Sequence, residues 1–130
     1  MHVLRSLTAT ALAVVALTTA APSQAEDIVT GELRITRYNI HQGTVDRWYL
    51  TCDPDGATHP DPKAACDRLW EIGGDLEKLR FRPVGPCPRV YHPIRVEIDG
   101  RWYDQRKKFA IVYPNSCFAE LLALPVVPTP

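Results

Sequence analysis

The sequence has 130 residues, 23% of them charged, with 15 basic and 15 acidic residues and a formal net charge of zero. This charge balance argues against nucleic-acid binding, which normally requires concentrated positive charge. The four cysteines are an even number, which predicts two disulfides in a small exported domain, although the spacing alone allows three pairings.

The amino-terminal segment has the pattern of a secretory signal peptide. A basic start, Met1 to Arg5, precedes an apolar run from Leu7 to Ala20, and small residues then lead to Ala25. We expect cleavage after Ala25, which leaves residues 26–130 as one secreted, extracellular domain with a formal charge of −1. The alternative, a retained membrane anchor, is disfavoured because the apolar run is short for a membrane span. We therefore expect no membrane partner.

The first half of the domain predicts two strands and a helix. Residues 29–38 and 45–51 are partly alternating or rich in β-branched and aromatic residues, as strands are. Residues 52–62 form a loop rich in Asp, Pro and Gly. Asp61-Pro62 fits the N-cap and first position of a helix. Apolar residues then recur at helical spacing until Gly73-Gly74, where glycine favours helix termination.

The second half predicts a loop followed by strands. Residues 80–88 hold three prolines and a glycine, and residues 94–98 alternate as a strand does. Asp99-Gly100 is typical of a two-residue hairpin turn, after which a long strand is expected over 101–113. The last ten residues, 121–130, hold three prolines and are expected to fray. Together these elements predict an α+β fold: an antiparallel β-sheet packed with one main α-helix and at most one short one.

The sequence shows no arrangement that is typical of an enzyme. Ser116 is the one serine in 26–130, and it stands beside Cys117 rather than in a nucleophile elbow. His41, His59 and His92 lack metal-ligand spacing and are interpreted as polar loop residues. We therefore expect no catalytic residues, no metal and no cofactor.

The candidate site is a proline-rich segment around an arginine. Pro88 and Pro93 flank Arg89 and favour an extended, stiff backbone, since proline fixes its own φ and pushes the preceding residue toward extended geometry. Proteases read their substrates in this shape, so the segment predicts capture by a protease rather than catalysis. Its residues are Pro86, Cys87, Pro88, Arg89, Val90, Tyr91 and His92.

Several short segments carry a family resemblance. They are LTCDP at 50–54, GATHPDP at 56–62, AAC at 64–66, IGGDL at 72–76, CPRVY at 87–91, DGRW at 99–102 and NSC at 115–117. With four cysteines in the same order and at similar spacing, the chain resembles the subtilisin inhibitors secreted by Streptomyces and related actinobacteria.

The resemblance implies a two-layer fold with helices on one side of an antiparallel sheet. It implies disulfides between Cys52 and Cys66 and between Cys87 and Cys117. It also implies that the partners are extracellular serine proteases, that Arg89–Val90 is the scissile bond, and that Asn115 braces the reactive loop. The family usually forms homodimers through the sheet.

Arg89 predicts which proteases bind best. An arginine fits a specificity pocket that has a carboxylate at its floor, as in trypsin, through charge-assisted hydrogen bonds. A hydrophobic pocket would have to desolvate the guanidinium without a partner. We therefore expect trypsin-like proteases as the better targets, with weaker binding to subtilisins.

The chain departs from the family in two places. His92 stands where the family commonly has an acid, and Phe118 to Pro130 does not follow the family pattern. Because proline cannot donate to a sheet ladder, the tail does not support the usual last strand or the homodimer. The alternative functions are a non-inhibitory secreted binding module on the same scaffold and a small secreted hydrolase, for which the sequence shows no nucleophile or metal arrangement.

Overall fold

Four antiparallel strands form a single sheet in the part of the chain that the structure describes. This computed structural model describes residues 10–22, 29–81 and 85–130. The strands are β1 (Gly31–Asn39), β2 (Thr44–Cys52), β3 (Ile94–Trp102) and β4 (Gln105–Tyr113), and their spatial order is β2-β1-β3-β4. The helices are α1 (Pro62–Glu71) and α2 (Ser116–Ala123), with a 3₁₀ turn at Leu76–Leu79.

One face of the sheet is buried under both helices, and the other face is open. Alternate strand residues enter the core, as the two-residue period of a β-strand requires. The buried residues of α1 and α2 belong to the same hydrophobic cluster as those of the strands; they include Leu33, Ile35, Leu50, Leu69, Ile94, Val96, Ile98, Phe109, Ala119 and Ala123. The predicted α+β fold, with helices on one side of an antiparallel sheet, is confirmed.

Helix α1 begins and ends where the sequence predicts. The side chain of Asp61 accepts a hydrogen bond from the backbone N–H of Ala64 at 3.1 Å, and Pro62 follows at the start of the helix. Gly73 and Gly74 have φ of +63° and +70°, a conformation that glycine adopts at little cost. These signals lie within the helix and its two ends, which is why they could be found without the fold.

The predicted hairpin turn at Asp99-Gly100 is wrong. Both residues lie inside β3, and the turn is made by Tyr103 and Asp104 instead. Gly100 has a φ of +152°, and a Cβ atom there would overlap the carbonyl oxygen of Glu32 on β1. Glycine is therefore required at this position by the close approach of the neighbouring strand.

The expectation that residues 121–130 fray is also wrong. Helix α2 extends into this segment, and Val126 and Val127 are 0% and 4% exposed. The N–H of Val127 donates to the carbonyl of Ala123 at 3.0 Å. Each buried valine stabilises the fold by about 1.5–3 kcal/mol, which outweighs the tendency of a proline-rich tail to fray.

His59 is a buried residue, although the sequence suggested an ordinary polar loop histidine. It is 5% exposed, and its Nδ1 accepts a hydrogen bond from the N–H of Asp61 at 3.1 Å. Its Nε2 lies 3.1 Å from the carbonyl oxygen of Val126 and therefore carries the ring proton. Burial lowers the pKa of His59, and the hydrogen bond to Val126 opposes this only in part. The neutral ring joins the carboxyl-terminal segment to the loop before α1.

Candidate functional site

The proline-rich segment forms an exposed loop between the 3₁₀ turn and β3. Residues 85–93 have no regular secondary structure, and Pro88 to His92 are all exposed. Val90 and Tyr91 retain 47% and 73% of their accessible surface. Among the described residues, none forms a hydrogen bond or ion pair with the Arg89 side chain. The guanidinium is therefore free to enter a pocket of another protein.

A disulfide fastens one end of this loop to α2. Cys87 is bonded to Cys117, the second residue of the helix, and Cys52 is bonded to Cys66. These are the two pairings that the family resemblance implied. In the chain-entropy model, the Cys87–Cys117 bridge, with a sequence separation of 30, stabilises the fold by about 3.7 kcal/mol.

Asn115 fixes the backbone at the centre of the loop through hydrogen bonds. Its side chain is buried, with 6% of the residue exposed, and its Nδ2 donates to the carbonyl oxygens of Pro88 at 2.9 Å and Val90 at 2.8 Å. Its Oδ1 accepts from the N–H of Phe118 at 3.3 Å, which makes Asn115 the N-cap of α2. One amide group thus contacts the backbone on both sides of Arg89.

The end of the loop is attached to two further elements. The N–H of His92 donates to the carbonyl of Pro114 at 2.9 Å, and the N–H of Ile40 donates to the carbonyl of Pro93 at 3.2 Å. The ring of His92 also stacks on the ring of His41. The sequence placed His92 in the site but gave no signal for His41, because the two residues meet only in the folded chain.

The described residues contain one close group of potential metal ligands. Cys52, Asp55 and Cys66 offer atoms within 4.8 Å of one another, but the two sulfurs are bonded to each other and are not thiolates. This group therefore has no cysteine ligand to offer a metal.

The membrane and signal-peptide expectations concern the amino-terminal segment. In the described residues, no helix is long and apolar enough to cross a membrane. Met1 to Arg5 and the expected cleavage position at Ala25 lie outside the described residues, so the signal peptide stays a prediction.

A match to a family model identifies the family of this chain. The model described as subtilisin inhibitor-like matches residues 30–115, which hold the sheet, α1, the exposed loop and Asn115. The chain belongs to the subtilisin inhibitor-like family. The match ends at Asn115, immediately before α2, and the divergent segment that begins at Phe118 lies beyond it.

Curated relatives support the membership. The chain is 38% identical over 78 residues to subtilisin inhibitor-like protein 5 of Streptomyces fradiae, a match that covers 59% of this chain and 73% of the relative. It is 39% identical over 69 residues to subtilisin inhibitor of Streptomyces albogriseolus and 36% identical over 69 residues to trypsin inhibitor STI2 of Streptomyces longisporus. Each of these two matches covers 52% of this chain. Each spans 48%, or about half, of the length of the relative.

A solved structure shares the fold of this subtilisin inhibitor-like chain. It is the crystal structure of Streptomyces caespitosus sermetstatin in complex with Bacillus licheniformis subtilisin. The TM-score is 0.59 at 27% sequence identity, and the match covers 71% of this chain and 90% of sermetstatin.

Proposed function

We propose that this chain is a secreted inhibitor of serine proteases that binds the protease active site in the manner of a substrate. The loop of residues 85–93 would occupy the substrate cleft, with Arg89–Val90 as the scissile bond. The observation that carries the proposal is the buried Asn115 amide, which donates hydrogen bonds to the backbone carbonyls on both sides of Arg89. The names of the relatives and the sermetstatin–subtilisin complex support the same function.

The bracing of the loop explains why it would inhibit rather than be consumed. A loop already held in its bound shape loses little conformational entropy on docking, so more of the contact energy appears as affinity. If the protease serine attacks the Arg89 carbonyl carbon, an ester to that serine forms and Val90 leaves as a free amine. Asn115 and the Cys87–Cys117 disulfide keep the two halves together, so the amine can attack the ester and restore the peptide bond.

Arg89 selects the protease. Its free, exposed guanidinium matches a pocket with a buried carboxylate, where it can form charge-assisted hydrogen bonds. Proteases of trypsin-like specificity are therefore the preferred targets, and subtilisin-like proteases bind less tightly. The inhibitor needs no cofactor and performs no catalysis of its own in this mechanism.

The place of action is the extracellular space. The signal-peptide pattern of residues 1–25 directs export, and the two disulfides require an oxidising compartment to persist. The active species is thus the oxidised domain of residues 26–130.

The family resemblance implies a homodimer through the open face of the sheet, whereas the divergent segment from Phe118 to Pro130 does not support one. This face carries an ion pair between Arg34 and Asp99 at 2.7 Å and a hydrogen bond from Tyr38 to Glu97 at 3.0 Å. Both interactions are completed within one chain, so a second copy would have to cover polar groups that are already paired. Sedimentation equilibrium tests the assembly: a mass of two chains supports it, and a mass of one chain contradicts it.

The decisive experiment is titration of bovine trypsin and subtilisin with the oxidised domain and with Arg89→Ala. We expect stoichiometric inhibition of trypsin that weakens at least about 30-fold in Arg89→Ala, since truncating one partner of a buried charge pair costs about 2–5 kcal/mol. Subtilisin should be affected less. Lys78→Ala, an exposed basic residue in the 3₁₀ turn and away from the open face of the sheet, is the matched control and should inhibit like the wild type.

Two outcomes would contradict the proposal. If Arg89→Ala inhibits trypsin as well as the wild type does, Arg89 is not the specificity residue. If trypsin cuts the Arg89–Val90 bond rapidly and completely and stays active, the chain is a substrate, and the scaffold serves as a binding module for another partner. Mass spectrometry of the incubated mixture identifies a new amino terminus at Val90.

A further inference from the structure

Two histidines from different elements stack beside the proposed scissile bond. The ring centroids of His41 and His92 are 4.2 Å apart, and the ring planes differ by 11°. His92 lies two residues beyond Val90, whereas His41 lies in the turn between β1 and β2. Both side chains are exposed, so burial alone does not explain their contact.

The turn that presents His41 is internally braced. The Asn39 side chain donates to Gln42 Oε1 at 2.9 Å and accepts from the Gln42 N–H at 3.0 Å. The N–H of Gly43 donates to the Asn39 carbonyl at 2.8 Å, with a φ of +69° that suits glycine. These bonds hold His41 on a defined turn rather than on a flexible one.

The same turn also contacts the backbone of the loop. The hydrogen bond from Ile40 to Pro93 and the bond from His92 to Pro114 tie the segment after the scissile bond to two separate elements. Stacking of His41 on His92 adds a side-chain contact at the same place. The segment that carries the leaving amine is thus held by the β1–β2 turn as well as by Asn115.

We infer that His41 is a positioning residue for inhibition. Its ring fixes His92 and so holds the Val90–Pro93 segment in the shape that a protease binds and that allows the Arg89–Val90 bond to be restored. The inference rests on the proposed function. A stacked aromatic pair has a typical strength that corresponds to a change of about 2- to 12-fold in an equilibrium constant. Loss of the ring should loosen the leaving half of the loop without unfolding the domain.

Uncharged residues surround the stacked rings. A small cavity of about 140 Å³ beside the rings is also lined by Asn39, Gln42, Ile94 and Ser116, which come from β1, the β1–β2 turn, β3 and α2. None of these four carries a charge. No charged side chain of this cavity pairs with either ring, so the contact between His41 and His92 is the stacking itself.

The test compares His41→Ala, which removes the ring, with His41→Phe, which keeps a flat aromatic ring that can stack on His92. We expect the trypsin complex of His41→Ala to dissociate about 3- to 10-fold faster than that of the wild type, and His41→Phe to restore most of the loss. Lys78→Ala, an exposed substitution in the 3₁₀ turn, is the control and should match the wild type.

A measurement on the free inhibitor separates this inference from the proposed function. Amide hydrogen exchange at His92 should be faster in His41→Ala, because the loosened segment breaks its bond to Pro114 more often. If the wild type inhibits trypsin and His41→Ala matches it in both dissociation and exchange, the positioning role is wrong and the proposed function stands. If the wild type does not inhibit trypsin, the proposed function fails and this role fails with it.

Discussion

Asn115 has two structural roles that substitutions can separate. Its amide nitrogen donates to the carbonyls of Pro88 and Val90, and its amide oxygen caps α2 by accepting from Phe118. Asn115→Ser keeps a good N-cap residue but removes the donors that reach the loop, whereas Asn115→Ala removes both functions. Asn115→Asp also keeps the cap and loses the donors, so agreement between Ser and Asp variants would exclude a specific effect of the added charge.

The hydrogen bonds set the expected magnitudes. Each neutral hydrogen bond contributes about 0.5–1.5 kcal/mol, so the two bonds to the loop together contribute about 1–3 kcal/mol. Losing the cap costs about 1 kcal/mol more. We therefore expect Asn115→Ser to lower the free energy of unfolding by about 1–3 kcal/mol and Asn115→Ala by about 2–4 kcal/mol. The wild-type inhibitor can make these two loop bonds equally in the free state and in the protease complex. In that case inhibition weakens only if the free loop of the variant becomes disordered, and the loss of about 1–3 kcal/mol then corresponds to about 5- to 150-fold weaker inhibition.

The assay joins stability to inhibition. Urea denaturation gives the free energy of unfolding, stopped-flow mixing with trypsin gives the association and dissociation rates, and mass spectrometry gives the rate of cleavage at Arg89–Val90. We expect Asn115→Ser to be cut faster and released sooner than the wild type, although its helix content by circular dichroism is unchanged. Wild-type dissociation and cleavage rates in both Asn115→Ser and Asn115→Asp would refute the idea that this amide braces the loop.

Two further predictions concern the buried carboxyl-terminal segment. Because the pKa of His59 is lowered in the folded chain, the unfolded state binds more protons below about pH 6.5, and the free energy of unfolding should fall as the pH drops through that value. Urea denaturation from pH 5 to 8 measures how the free energy of unfolding changes with pH. His59→Gln should make this pH dependence weaker; an unchanged dependence would show that other groups cause it. Deletion of residues 124–130 removes two buried valines and the hydrogen-bond partner of His59, Val126, and should destabilise the domain by about 3–6 kcal/mol in thermal and urea unfolding. A truncated domain as stable as the full one would show that the segment does not pack in solution.

The elements that could be predicted are those whose signals are local. Asp61, Pro62 and the glycine pair at 73–74 lie at the two ends of α1, and each acts on backbone atoms within a few residues. The first two strands were also predicted, with ends that differ from the structure by one or two residues. Such signals need no knowledge of the rest of the chain.

The elements that were missed depend on distant parts of the chain. Gly100 looks like a turn residue, yet it is needed because the carbonyl of Glu32 on a neighbouring strand lies against it. The carboxyl-terminal prolines suggest fraying, yet Val126 is buried and contacts His59, which lies far away in the sequence. In both cases a tertiary contact overrides a local preference.

Residue types and their spacing are enough to predict the chemistry of the candidate site: an arginine in a stiff, proline-flanked loop beside a cysteine, in a chain with an export pattern. The family resemblance added Asn115 and the disulfide pairing to this prediction. How the loop is held follows from the tertiary fold, which brings the buried amide of Asn115 between two loop carbonyls and the ring of His41 onto His92. Local backbone preferences depend on residues that are close in the sequence. Contacts between remote side chains form only when the strands pair in their final register.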